Sequence, residues 1–146
     1  MNTHPFIIER TFNAPASMLW QAIADRDHMK QWYFDIADFR PVQGHEFSFN
    51  ADCEGSTYLH ICKVTEAIPE QRLSYTWRYD GHPGTSHVVF ELFAEGDRTR
   101  LRLTHEGLET FGTTNPHLER KSFEKGWAVF LDDALTIYLS TELINN

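Results

Sequence analysis

Cysteine, clustered basic residues and long apolar runs are all scarce in this 146-residue chain. Cys53 and Cys62 are its two cysteines; they form neither a CxxC pair nor a disulfide framework, so a reducing compartment is the simpler reading. No window approaches the roughly 18 apolar residues of a membrane helix, and no charged-then-apolar leader opens the chain. The expectation is a cytoplasmic protein with no membrane partner. Lys and Arg number 13 against 21 Asp and Glu, for a net charge of −8. The basic residues are scattered, which argues against nucleic acid, because polyanion affinity comes from clustered cations. There is also no GxSxG elbow, glycine-rich phosphate loop or HExxH pair, so motif-defined hydrolase, nucleotide and zincin chemistry has no support.

Metal chemistry is poorly supplied. His60 and Cys62 alternate on a strand and could project together, but zinc takes three or four ligands. Cys53 and His45 would join them only by tertiary coincidence. No metal and no cofactor is expected.

Aromatic side chains are what the chain has in excess, at 14%, with eleven Phe, five Tyr and four Trp. Many fall in periodic patterns. Phe123, Trp127, Phe130, Leu131, Ala134, Leu135 and Tyr138 recur at three- and four-residue steps, predicting one amphipathic helix from about Pro116 to Ile144. Ahead of it, alternation predicts strands. Phe6, Ile8 and Phe12 share a face that also receives Arg10. Phe47 and Phe49 alternate in a strand ending near Asp52, and Glu54-Gly55-Ser56 reads as a hairpin turn. A strand over residues 57–66 follows, ended by Pro69-Glu70.

Leu73, Tyr75, Trp77 and Tyr79 lie on one face of the next strand. Beyond the loop at residues 80–84, Val88, Phe90 and Leu92 share a face, as do Leu101, Leu103 and His105 after a turn at residues 95–97. Pro15 suits the first position of a helix carrying Leu19, Trp20 and Ile23 inward. Asp25 can cap a second short helix ending near Trp32. Residues 33–44 resist assignment. Strands with one apolar face suit an antiparallel sheet that is wet on the other side, and only the last helix is long enough to cover the inner face. A single α+β domain over residues 1–146 results, its sheet of about six strands wrapped around the C-terminal helix.

Residues 9–15 (ERTFNAP), Leu19-Trp20 and residues 25–32 resemble the opening of START-like (SRPBCC) domains. Residues 66–77 with Pro69, Leu73 and Tyr75-Thr76-Trp77 resemble one branch in particular, named after the C-terminal domain of the activator of the large heat-shock ATPase chaperone. So do Gly96 through His105-Glu106-Gly107 and the Gly126-Trp127 entry to the last helix. The resemblance covers nearly the whole chain. It implies a helix-grip fold, a strongly curved antiparallel sheet gripping the C-terminal helix, often around an apolar cavity. It implies little about activity, since such domains include lipid and hormone carriers, polyketide cyclases and ring-hydroxylase subunits.

If the helix face meets the apolar strand faces, Phe47, Phe49, Tyr75, Trp77, Val88, Phe90, Leu103, Trp127, Phe130 and Leu131 should line the shared interior. Two readings stay open there: solid packing, or a ligand-sized hydrophobic cavity. Tyr58, His60 and His105 add polar groups to that face, and each needs a partner from the protein or a ligand. The leading expectation is a protein that binds a small apolar, aromatic or lipid-like ligand. One alternative is a cyclase- or hydrolase-type enzyme, with His105 the weak catalytic candidate beside Tyr75 or Tyr58. Another is a co-chaperone-like interaction domain. A homodimer is left open.

Overall fold

The computed structural model describes the backbone of residues 3–145 and the side chains of residues 3–142. Strand β1 (Phe6–Phe12) is followed by short helices α1 (Ala16–Ala24) and α2 (Arg26–Met29). The meander β2 (Glu46–Cys53), β3 (Ser56–Ile68), β4 (Arg72–Tyr79), β5 (Ser86–Glu95) and β6 (Arg98–Glu106) comes next. These make one antiparallel sheet in the order β1-β6-β5-β4-β3-β2, with β1 and β2 at its edges. Two 3₁₀ turns, Leu108–Phe111 and Pro116–Leu118, lead into the C-terminal helix. The fold is an α+β helix-grip, as alternation and helical period predict.

The period-2 pattern places the side chains as expected. Leu73, Tyr75, Trp77 and Tyr79 on β4 are buried, as are Val88, Phe90 and Leu92 on β5 and Leu101, Leu103 and His105 on β6. The opposite face carries ion pairs, among them Arg72 between Glu66 and Glu91, and Arg100 with Arg102 on Glu9. A register shift between Val64 and Glu66 bends the pairing of β3 with β4, a usual source of sheet curvature.

The elements after β1 cover one end of the inner face. Pro15 is the residue before α1 rather than its first: its ψ of 159° is extended, while its carbonyl accepts from Met18 and Leu19 N–H at 3.0 and 3.2 Å. Asp25 caps α2, accepting from His28 N–H at 3.3 Å. Met29 and Trp32 turn inward, and Trp32 Nε1–H donates to the Ala22 carbonyl at 2.8 Å.

The long helix starts later than its sequence suggests. Asn115 Oδ1 accepts from His117 N–H at 3.0 Å and closes the 3₁₀ turn, and Glu119 is extended with ψ 155°. Continuous helix therefore begins at α3 (Arg120–Val129), widens to π-helix over Phe130–Leu135 and runs on as α4 (Thr136–Asn145). Gly126 lies inside α3 and not at an entry. In the wide turn Thr136 Oγ1–H donates to the Leu131 carbonyl at 2.9 Å, supplying a partner where the usual ladder loosens. Arg10, on the apolar side of β1, reaches the rim and pairs with Asp132 at 2.6 Å.

Candidate functional site

Sheet and helix close on each other along most of their length and part at one end. There they leave a cleft of about 290 Å³ that opens to solvent. Ala51, Asp52 and Cys53 at the end of β2, Tyr58 and His60 on β3, and Trp77 and Tyr79 on β4 form its sheet side. Ser122, Phe123, Gly126, Trp127 and Phe130 form its helix side, with Phe34 and the turn residues His117 and Leu118 at the ends.

Its walls are rings in mutual contact. Phe34 lies 5.3 Å from Phe130 and 6.3 Å from Trp77, and Trp77 lies 5.9 Å from Trp127, mostly at tilted or edge geometries. Trp77 Nε1–H donates to the Tyr79 hydroxyl at 2.8 Å, so the wall's indole is satisfied within the protein. A wider depression of about 520 Å³ beside Leu108, Glu109 and residues 119–121 has no aromatic wall. The smaller cleft, apolar with a few convergent polar groups, has the character of a ligand site.

Of the residues singled out by sequence, Tyr58, His60, Trp77, Trp127 and Phe130 meet at this cleft. The others lie in the packed interior: Val88, Leu103 and Leu131 at 0% exposure, Phe90 at 1%. Phe47 packs edge-on against Tyr75 at 5.3 Å, and Phe49 stacks on His60 at 4.4 Å. The space between sheet and helix is thus an open cleft at one end, beside a filled core.

His105 is part of that core. Trp127 Nε1–H donates to its Nδ1 at 3.0 Å, so the proton must sit on Nε2, which donates to Ser86 Oγ at 2.8 Å. Ser86 passes its own hydrogen to the Trp77 carbonyl at 2.9 Å. Burial pushes the imidazole down to about 3, with nearby His87 acting in the same sense. Neither tyrosine considered with it pairs to it: Tyr75 hydroxyl meets Tyr33 hydroxyl at 2.9 Å, and Tyr58 meets His117 at 2.7 Å. His60 is also held neutral, pushed down to about 4 by burial against the opposing pull of backbone bonds to Tyr58 and Phe49. Burial, and then the Glu54 carboxylate, raise the Cys53 thiol, which disfavours the thiolate.

Several cleft residues escaped sequence reasoning. Phe34 lies in the stretch that has no periodicity, and His117 in a turn with no distinctive pattern. Tyr79 and Phe123 were legible as members of inward rows. Gly126 offered a signal in its position: a glycine mid-helix, one turn before Phe130. No group of three or more His, Cys, Asp or Glu placed to hold a metal occurs among the described residues. Nor is any helix there long and apolar enough to cross a membrane.

A curved sheet gripping a C-terminal helix, with a ring-walled cleft between them, defines a START-like (SRPBCC) domain. More narrowly, the chain belongs to the family of Activator of Hsp90 ATPase homolog 1-like proteins, whose sequence model matches residues 13–140. Among solved structures it is similar to protein MLL2253 from Mesorhizobium loti, at 27% identity and TM-score 0.76 over 94% of this chain and 98% of that one. It is also similar to CalU16 from Micromonospora echinospora, at 27% identity and TM-score 0.70 over 97% and 79%. Mll3558 from Rhizobium loti shares the fold at 24% identity and TM-score 0.79, over 92% and 96%. No curated protein matches the chain.

Proposed function

We propose that the protein binds a small, planar, largely apolar aromatic ligand in the cleft between β2–β4 and α3. Gly126 carries this reading. Glycine inside a helix costs roughly 1 kcal/mol relative to alanine. A Cβ built on Gly126 would meet nothing within 4 Å, so neither packing nor backbone geometry requires glycine there. What the missing side chain does is keep the cleft open between Trp127 and Phe123.

The volume lies near the lower end of small-molecule sites, which suits two or three fused rings rather than a long acyl chain. Ring walls provide area and edge-to-face contact for such a ligand, and Tyr58 and His60 provide polar groups to orient it. A thermal-shift screen over planar aromatics, flavonoids and fatty acids tests the reading. Concentration-dependent stabilisation by the fused-ring compounds is expected. Stabilisation by fatty acids alone, or by nothing, would remove it.

A further inference from the structure

The lip of the cleft carries a hydrogen-bonded relay whose geometry fixes where its protons sit. Glu54 Oε2 lies 3.2 Å from His117 Nε2, and His117 Nδ1 lies 2.7 Å from the Tyr58 hydroxyl. Asn115 Nδ2 donates to the same hydroxyl at 3.1 Å, its amide oriented by the bond from His117 N–H to Oδ1. Glu54 reaches His117 from a tight hairpin in which it holds φ at 49°, a left-handed conformation that few non-glycine residues adopt.

A carboxylate only accepts, so His117 Nε2 carries a proton whether the ring is neutral or charged. In the neutral ring Nδ1 is a bare acceptor, and Tyr58 O–H donates to it. In the charged ring Nδ1–H donates to Tyr58 instead. The Tyr58 oxygen then accepts from both Asn115 and His117, and its own hydrogen is released towards the cleft that Tyr58 lines.

We propose that this lip is a recognition subsite for the carbonyl oxygen of a neutral, planar aromatic ketone, bound together with one proton taken up by His117. The proposal rests on the cleft being the ligand site and adds which ligands it selects. The proton comes from solvent to Nδ1; the Tyr58 proton stays on its oxygen and turns from Nδ1 to the ketone oxygen. No bond within the ligand breaks. A neutral ligand is required because Asp52 and Glu54 stand at the same lip and repel an anion.

The groups facing the relay are Glu54 and Asp52 from the β2–β3 hairpin, Tyr58 and Cys53 beside it, Tyr79 on β4, whose ring lies 5.7 Å from that of Tyr58, and His82 from the β4–β5 loop. The His82 ring lies 5.5 Å from Tyr58. Because the ketone prefers the charged ring, binding takes up a proton and its affinity rises as pH falls. His60 and His105, held down to about 4 and about 3, stay neutral over this range.

The test is tryptophan-fluorescence titration of the full chain between pH 5 and 8 with 9-fluorenone and with fluorene, the same tricycle lacking the carbonyl. Fluorenone should bind about threefold to tenfold tighter at the acid end, the worth of one hydrogen bond. Its affinity should fall by that same threefold to tenfold in all towards pH 8, while that of fluorene stays flat. Tyr58→Phe should erase the preference for the ketone. His117→Ala should keep the preference and remove its pH dependence, because Tyr58 is then free at every pH. His82→Asn should change neither, and an unchanged far-ultraviolet circular dichroism spectrum certifies each variant's fold. Equal pH profiles for the two compounds, or a ketone preference that survives Tyr58→Phe, would overturn the relay and leave the cleft reading intact. Binding of neither compound would overturn both.

Discussion

Residues 131–139 and residues 122–130 of the long helix meet the same sheet in different ways. The first stretch buries Leu131 and Leu135 at 0% exposure and Leu139 at 3%, in one continuous core with the β1, β5 and β6 side chains. The second lines a cleft with Phe123, Gly126, Trp127 and Phe130. Both stretches turn apolar residues to the inner face. They differ at Gly126, the one position of the second stretch without a side chain. Filled and open halves can therefore coexist along one amphipathic helix, and the open half is where polar groups become useful.

Acid should act most strongly, and on both halves. The buried histidines hold neutral rings, His105 in the filled half down to about 3 and His60 beside the cleft down to about 4. In the unfolded chain both charge near 6.5. Their contribution to stability is complete above that value and is lost as pH falls through it towards the folded values. Each fully coupled histidine removes about 1.4 kcal/mol per pH unit within its window. Denaturation midpoints followed from pH 7 to 4 should fall steeply, and His105→Gln and His60→Gln should each flatten the slope. An unchanged slope in either variant would show that its ring is not held neutral.

Next in size is Leu131→Ala, which empties a position in the filled half and should cost about 2–5 kcal/mol in chemical denaturation. A loss below about 1 kcal/mol would mean that this half is as loose as the other. Gly126→Ala should have the opposite sign, stabilising by about 0.5–1 kcal/mol through helix propensity while weakening ligand binding. Destabilisation there would show that the glycine serves packing. Smallest is Asp132→Asn, which breaks an exposed pair with Arg10. It should change stability by less than about 1 kcal/mol, an effect that fades in high salt.

Most of the fold was legible because each strand has one wet face, so alternation names the inward residues directly; Tyr75, Trp77 and Leu103 needed nothing further. The helix start was harder, since Pro116 and Ser122 suit a helix while the extended Glu119 between them is set by the Asn115 turn. The candidate site was legible only on its regular elements. Periodicity names which residues point inward, but not which of them find the inner space already full. Phe47, Phe90 and Trp127 look alike in sequence, and only Trp127 reaches the cleft. His117 and Asn115 are brought to Tyr58 by a turn 57 to 59 residues away, a proximity that no local pattern encodes.

The central claim is that the gap at Gly126 exists for a ligand, and the most direct measurement compares fluorene affinity in the wild type and in Gly126→Leu. The leucine side chain should enter the cleft, abolish fluorene binding and leave the variant at least as stable as the wild type. Undiminished binding by a folded Gly126→Leu protein would contradict the account, because the ligand would then lie somewhere other than between sheet and helix.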